Sequence, residues 1–349
     1  MRALTVTPGK PNSIRLEDVA APPVSDGAVV VRALALGICG TDHEIIDGHY
    51  GWPPEGEKRL IIGHESLGKV VEAPADSGFK PGDLVVGIVR RPDPVPCPSC
   101  AVGEWDMCRN GEYTERGIKQ RNGYGSEQFR IEADFLVKID PALAQLGVLL
   151  EPTSVVAKAW EQVERIGARS AAWQPKCALI TGAGPVGLLA ALMGKQRGLE
   201  MHVLDRVDKG PKPDLVRALD ATYHVGDLGK LAPDIVIECT GAGSVVLDAM
   251  GRTAPGGIVC LAGVSSGGHK IDFDIGDLNR GMVLENDTVF GSVNANRRHY
   301  RAAAEALAKA DKTWLARLIT RRVPLARWQE AFKPHAHDIK VVVEFDGGA

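Results

Sequence analysis

Short apolar stretches dominate the first part of the chain. GAVVVRALAL (27–36), LGKVVEA (67–73) and GDLVVGIV (82–89) are rich in β-branched residues and separated by glycine and proline signals. That pattern predicts a twisted β-rich region and not a βαβ run. From Glu151 the period changes: PTSVVAKAWEQVERI (152–166) carries apolar residues at helical spacing, and the next apolar stretch, CALIT (177–181), ends in glycines. Strand-like and helical segments then alternate through LLAALMGKQRG, MHVLD, PDLVRALD, DIVIEC, VVLDAMGRT, GIVCLAG and DTVFGS. This alternation predicts a doubly wound parallel sheet. After residue 295 come a helical stretch, RRHYRAAAEALAKAD, a short helix near LARWQEAF and a final strand, KVVVEF. The expected fold is therefore α/β in two domains: residues 1–165, completed by 295–349, and residues 166–294. No internal repeat or low-complexity tract interrupts them.

A length of 349 residues allows each domain its own core. Forty glycines and 22 prolines with only 5% aromatic residues fit a turn-rich β region joined to an α/β region. A formal net charge of −3 supplies no field that would draw the molecule to nucleic acid or an anionic membrane, so the expected partner is a small molecule. No apolar run approaches the ~20 residues needed to span a bilayer, and MRALTVTPGK lacks the apolar core of a signal peptide. The expectation is a soluble, cytoplasmic protein. Seven cysteines, an odd number scattered along the chain, argue against a disulfide scaffold and for metal binding by some of them.

Gly182, Gly184 and Gly187 form G-x-G-x-x-G around Pro185 and Val186, directly after an apolar strand and at the start of a helix. In that context the first glycine permits a tight turn, the second admits a pyrophosphate and the third allows close helix packing. The helix N-terminus offers unpaired N–H groups to the anion. Asp205, 21 residues beyond Gly184, ends MHVLD, where a carboxylate accepts hydrogen bonds from ribose hydroxyls and favours NAD. Arg206, with Lys209 and Lys212, offers cations for a 2′-phosphate, which leaves NADP open.

Ahead of this turn stand Cys39 and Thr41 in GICGTD, His64 and Glu65 in IIGHES, and Glu151 in LLEPTS. One thiolate, one imidazole and carboxylates can hold Zn²⁺ and leave a coordination position for substrate. Cys39 taken alone reads as a small buried residue more readily than as a ligand; its neighbours change that reading. Glu65 reads as a ligand or as a partner of one, and either glutamate as half of a structural salt bridge. Glu151 falls at the inferred domain junction, where a carboxylate is costly unless paired or coordinating. A second cluster, Cys97, Cys100 and Cys108 in CPSCAVGEWDMC, has the spacing C-x2-C-x7-C and suggests a structural zinc that lacks a fourth ligand. Asp93 could complete it, although prolines between 92 and 96 restrict that segment. His43, His49 and His299 read as surface or capping residues.

CGTD, GHE, a cysteine lobe, EP and the dinucleotide turn, in that order, resemble the zinc-dependent medium-chain dehydrogenase/reductase superfamily over essentially the whole chain. GEYTERGI and NRGMVLENDTVFGSVNANRRHY are similar to the archaeal-type glucose dehydrogenases within it. The resemblance implies a GroES-like catalytic domain built from both chain ends, with a Rossmann domain inserted between them. It implies Cys39, His64 and Glu65 as catalytic zinc ligands, Glu151 as a ligand exchanging with water, and Thr41 as the hydroxyl that hands on the substrate proton. It places Glu115 and Asn294, with Glu112 as a neighbour, against the sugar, and it implies a homodimer or homotetramer. Two departures stand out: Pro94 occupies the place of the lobe's usual first cysteine, and Glu44 stands where a histidine often ends the proton relay.

The activity so implied is oxidation of an aldose at C1 to the aldonolactone, with zinc and NAD or NADP. A polyol, threonine or secondary-alcohol dehydrogenase with the same metal and cofactor is the alternative. An intact ligand set argues against a sensor that kept the fold and lost the chemistry.

Overall fold

The computed structural model describes residues 1–265 and 270–345; the last four residues of the expected 295–349 segment lie outside the described residues. By contacts the chain divides into Met1–Ser154 with Asn294–Ala349, and Val155–Val293. The division falls inside the helix Leu150–Gly167, ahead of the sequence-based boundary at 165. The helical period runs unbroken across it, so nothing in the local composition marks the change.

In the first unit a seven-stranded sheet runs in the order Leu136–Lys138, Leu84–Gly87, Glu65–Glu72, Val29–Ile38, Lys340–Glu344 and Ile319–Pro324, with Gln128–Ile131 also pairing on Val29–Ile38. Val29–Ile38 is the hub. Its apolar residues Val29, Val31 and Leu36 are fully buried and pack with Val85, Val343 and Phe345 in one core. The C-terminal strand Lys340–Glu344 pairs antiparallel with it, Val341 opposite Ile38, and so belongs to this sheet. Two three-stranded sheets flank it in the chain: Arg15–Asp18, Arg2–Val6 and Leu60–Ile61; and Arg90–Arg91, Thr114–Arg116 and Gln120–Arg121.

The second unit holds a six-stranded, all-parallel sheet in the order Thr222–His224, Glu200–Leu204, Cys177–Thr181, Ile235–Glu238, Ile258–Leu261, Thr288–Gly291. This is the doubly wound order in which the first strand sits beside the switch point. Ala178, Leu179 and Ile180 are all fully buried, as a central parallel strand covered on both faces requires. The sequence pattern missed, among others, the strands Thr222–His224 and Ile319–Pro324 and the helices Gly40–Ile46, Ile275–Glu285 and Lys312–Leu318. TYH is too short for a period, and ITRRVP is half-buried along most of its length, so apolar alternation is absent from both. Among the described residues no helix is long and apolar enough to cross a membrane.

Candidate active site

Strand pairing in the first unit places Gly37 opposite Glu65. A Cβ at Gly37 would lie 2.1 Å from Glu65 Oε2, so only glycine there admits the carboxylate. Just beyond, the chain turns into the helix Gly40–Ile46 with Cys39 as N-cap, and Asp42 accepts the Cys39 N–H at 3.0 Å. Gly63 makes the bend before His64 at φ 93°, where a side chain would be strained. These local constraints converge. His64 Nε2 lies 3.0 Å from Cys39 Sγ, and the ligand atoms of Cys39, His64 and Glu65 all fall within 4.8 Å of one another. Glu151, in the first turn of Leu150–Gly167, is buried but stands outside that trio. Thr41 is half-buried in the first turn after Cys39.

Two residues not singled out from sequence support the trio. Asp42 Oδ1 lies 3.6 Å from His64 Nδ1; both atoms are buried and neither makes a hydrogen bond. Lys340 Nζ reaches both oxygens of Glu65 at 2.6 Å and the Ile38 carbonyl at 3.1 Å. Asp42 was visible as the fourth letter of CGTD, at capping-box spacing from Cys39. Lys340, 275 residues from Glu65, left no signal.

The charge balance is lopsided. Asp42, Glu65 and Glu151 are 0%, 2% and 8% exposed, and the neighbouring cations are Lys340 and, when protonated, His64. Burial pushes the Glu151 carboxyl up to about 7, against the pull of His64 and Lys340 and helped by the charges on Glu65 and Asp42. Burial would lower the His64 pKa, but Cys39 and Asp42 outweigh it and hold it well above the ordinary value. A half-buried thiol and a buried imidazole and carboxylate, with surplus negative charge and orphaned polar atoms, fit a divalent metal of the zinc type.

Glu115 and Asn294 also meet in this unit. Asn294 Nδ2 donates to Glu115 Oε1 at 2.7 Å, and Arg90 donates to the same oxygen through Nε and Nη2 at 3.0 Å each. Glu115 is buried, while Glu112 is exposed. Asn294 adopts φ 61°, a left-handed conformation asparagine tolerates better than most residues.

In the second unit, Gly182 turns at φ 92° and a Cβ at Gly187 would lie 1.8 Å from the Gly182 carbonyl oxygen. A Cβ at Gly184 would meet open space, at the N-cap of the helix Pro185–Gln196 that carries Val186 in its first turn. The turn therefore fits a pyrophosphate at that terminus. Asp205 Oδ2 accepts the Ala183 N–H at 2.7 Å and pairs with Lys212 at 3.1 Å, while Oδ1 accepts the Val207 N–H at 3.1 Å. Burial disfavours this charge, but Ala183 and Lys212 hold its pKa below the usual value. Arg206 is exposed beside it.

The family model described as glucose dehydrogenase C-terminus matches residues 144–345, and that described as alcohol dehydrogenase GroES-like domain matches 25–141. The chain belongs to the glucose dehydrogenase family. It is 39% identical to glucose 1-dehydrogenase 2 of Vulcanisaeta moutnovskia and 41% identical to glucose 1-dehydrogenase of Thermoproteus tenax, over 99% of each chain in both cases. The glucose dehydrogenase of Haloferax mediterranei, solved in complex with NADP, Zn and gluconolactone, superposes with a TM-score of 0.91 at 34% identity over 99% of both chains. The fold is accordingly a GroES-like β-rich domain with a Rossmann-type parallel sheet, as expected from sequence.

The cysteine lobe of this glucose dehydrogenase family member brings Cys97, Cys100 and Cys108 within 4.8 Å of one another, with Cys97 and Cys108 sulfurs 4.0 Å apart. Hydrogen bonds from the Arg109 and Cys100 N–H groups lower the Cys97 pKa to about 6, whereas burial raises Cys100 to about 11. Asp93 is not brought into the group: its oxygens accept from Val95 N at 2.8 Å and Asn110 Nδ2 at 2.7 Å. His43 packs edge-on to Phe332, His49 is exposed, and His299 completes the capping box of Asn296.

Proposed function

We propose that the protein oxidises an aldose at C1 to the aldonolactone, transferring hydride to NAD or NADP. The observation that carries this reading is the convergence of Cys39, His64 and Glu65 in a largely buried, negatively biased cluster of a chain homologous throughout to glucose 1-dehydrogenases. Cys39, His64 and Glu65 would hold the metal, with Glu151 available to join or leave. When bound, Zn²⁺ supplies Lewis acidity toward the C1 hydroxyl and the nicotinamide supplies the hydride acceptor.

The remaining work falls to the chain's own side chains. The Asp42 carboxylate, 3.6 Å from His64 Nδ1, favours the tautomer that leaves Nε2 free for the metal. The Thr41 hydroxyl takes the proton lost from the C1 hydroxyl, and Glu44, three residues on along the same helix, offers the next acceptor. Glu115 and Asn294 hold the sugar's other hydroxyls; a wrong epimer would leave these buried polar groups unpaired, which is a strong basis for selection. Gly182, Gly184, Pro185, Val186 and Gly187 cradle the pyrophosphate, and Asp205 takes the adenosine ribose. Arg206 and Lys212 give the 2′-phosphate of NADP a place, consistent with the NADP bound by the Haloferax relative.

We place the protein in a reducing compartment, the cytoplasm, because all seven cysteines are free thiols. A homodimer or homotetramer is supported by the exposed Ile275, Val283 and Leu284 on the helix Ile275–Glu285, beside the sheet's edge strand Thr288–Gly291. The deciding experiment follows NAD and NADP reduction with aldoses, polyols and simple alcohols, with and without a zinc chelator. Chelator-sensitive turnover confined to aldoses is the expected result; turnover of polyols or alcohols alone would overturn the substrate assignment.

A further inference from the structure

Two aromatic rings stand exposed where a buried environment would be the norm. Tyr50 and Trp52 are 40% and 46% exposed, although Trp160 and Trp314 are 1% and 4% exposed. Their rings meet edge to face with centroids 5.0 Å apart. They are not on a loose loop. Trp52 N–H donates to the Ile118 carbonyl and the Trp52 carbonyl accepts from Gln120 N–H, both at 2.9 Å. Those partners belong to the tight turn that starts at Glu115, whose N–H and carbonyl both bond Lys119, at 2.8 and 2.9 Å. Gly51, between the rings, turns at φ 97° and packs against Ile45 of the helix that follows Cys39. The pair is thus fastened to the two segments that carry Glu115 and Thr41.

Tyr50 also feels the buried end of that turn. Its pKa is raised by burial and then by the charge on Glu115, with Tyr113 and Glu44 adding and Arg90 opposing. The Tyr113 ring is itself covered by Arg90 at 3.7 Å and Lys119 at 4.4 Å, so it offers no free face comparable to those of Tyr50 and Trp52.

We propose that Tyr50 and Trp52 form an aromatic corner, one ring braced by the edge of the other, whose open ring face is the platform that stacks on the apolar C–H face of a pyranose ring whose hydroxyls reach Glu115 and Asn294. A pyranose has this amphipathic build: hydroxyls at its rim and a patch of C–H bonds on a face. A rigid aromatic surface matches the second as charged and amide groups match the first, at little cost in side-chain freedom. An extended polyol lacks a fixed C–H face, so the platform selects for ring form. This rests on the aldose reading above and assigns it two specificity-determining residues.

The test compares wild type with Trp52→Ala, Trp52→Phe and Tyr50→Ala. The readouts are KM and kcat for D-glucose and for its open-chain polyol, NADP affinity, and tryptophan fluorescence during gluconolactone titration. Trp52→Ala should raise the glucose KM on the order of tenfold while kcat stays within about twofold and NADP affinity is unchanged. Trp52→Phe should recover most of the loss and abolish the part of the lactone-induced fluorescence change that Trp52 carries. Glucose turnover by the wild type with unchanged KM in both alanine variants would overturn the platform alone. No aldose turnover by the wild type would overturn the aldose reading and the platform with it.

Discussion

Lys340 Nζ grips both carboxylate oxygens of Glu65 at 2.6 Å, and the pair is 1% and 2% exposed. A buried pair of this kind is worth little against an apolar substitute, but removing one member leaves a stranded charge at a cost of about 3–5 kcal/mol. Lys340→Met should therefore lower the Tm of the metal-free protein sharply. In the zinc-loaded protein the metal replaces part of the lost positive charge, so the Tm gain on adding zinc should be larger in Lys340→Met than in wild type. Calorimetry on both forms of both proteins reads this directly; equal gains would mean that Glu65 does not face the metal.

Asp42 would act on a metal held by Cys39, His64 and Glu65 through the His64 ring. Its Oδ1 lies 3.6 Å from His64 Nδ1, with no hydrogen bond at either atom. Asp42→Asn keeps the shape and the capping role toward Cys39 but removes the charge that favours the metal-binding tautomer. Zinc affinity, measured by competition with a chelating dye, should fall about 10- to 100-fold. An unchanged affinity would assign Asp42 to helix capping alone.

Glu115 and Asn294 yield a test of substrate contact that does not involve the metal. Asn294→Ala removes the amide that donates to Glu115 at 2.7 Å, leaving Arg90 as that carboxylate's partner. The KM for aldose should rise about tenfold with zinc content and NADP affinity unchanged. The left-handed φ of 61° adds a strain of roughly 1 kcal/mol for alanine, so Asn294→Gly serves as the unstrained control and should show the same KM. A KM restored in Asn294→Gly would point to backbone geometry and not to the lost amide.

Acid sensitivity should centre partly on Glu132, which has none of these roles. Burial raises its pKa, but two hydrogen bonds from Arg91, at 3.0 and 2.8 Å, and a third from Arg121 at 3.0 Å bring it down to about 2. With the folded pKa depressed, the contribution is fully present above the unfolded value near 4.5 and is lost as pH falls toward 2. Its size, discounted because the side chain is 33% exposed, is on the order of 1–2 kcal/mol. Glu132→Gln should be less stable to urea at about pH 6.5, with the gap narrowing steadily below pH ~4.5. A gap independent of pH would show that the effect is packing, not charge.

The parts legible in the sequence are those set by local rules. Gly182 and Gly187 announce a turn because a Cβ at either changes the backbone, and GHE announces a bend because Gly63 needs a positive φ. Asp42 stood in the CGTD motif but its place beside His64 was not legible, because that contact depends on how the strand Glu65–Glu72 registers against Val29–Ile38. Lys340 and Arg90 were invisible for the same reason: their partners lie 275 and 25 residues away, across sheet pairings that no short pattern encodes. Asp93 shows the converse. Proximity in sequence to Cys97 suggested a ligand, yet its oxygens close an Asx-type turn at Val95 and bind Asn110.

Cofactor choice is expected to turn on Asp205, which the structure shows engaged by Ala183 N–H and Lys212. As a carboxylate it accepts ribose hydroxyls and repels a 2′-phosphate, while its pairing with Lys212 partly neutralises that repulsion. Asp205→Ala removes the repulsion and frees Lys212 while the exposed Arg206 stays in place, so both effects move in one direction. The ratio of kcat/KM with NADP to that with NAD should rise at least about tenfold, since a single charge contact with phosphate is worth roughly 1.4 kcal/mol or more. Steady-state kinetics with both cofactors at saturating aldose measures it. Lys212→Ala in the same experiment should move the ratio the opposite way; if both variants leave it unchanged, the ribose is held by residues other than this pair.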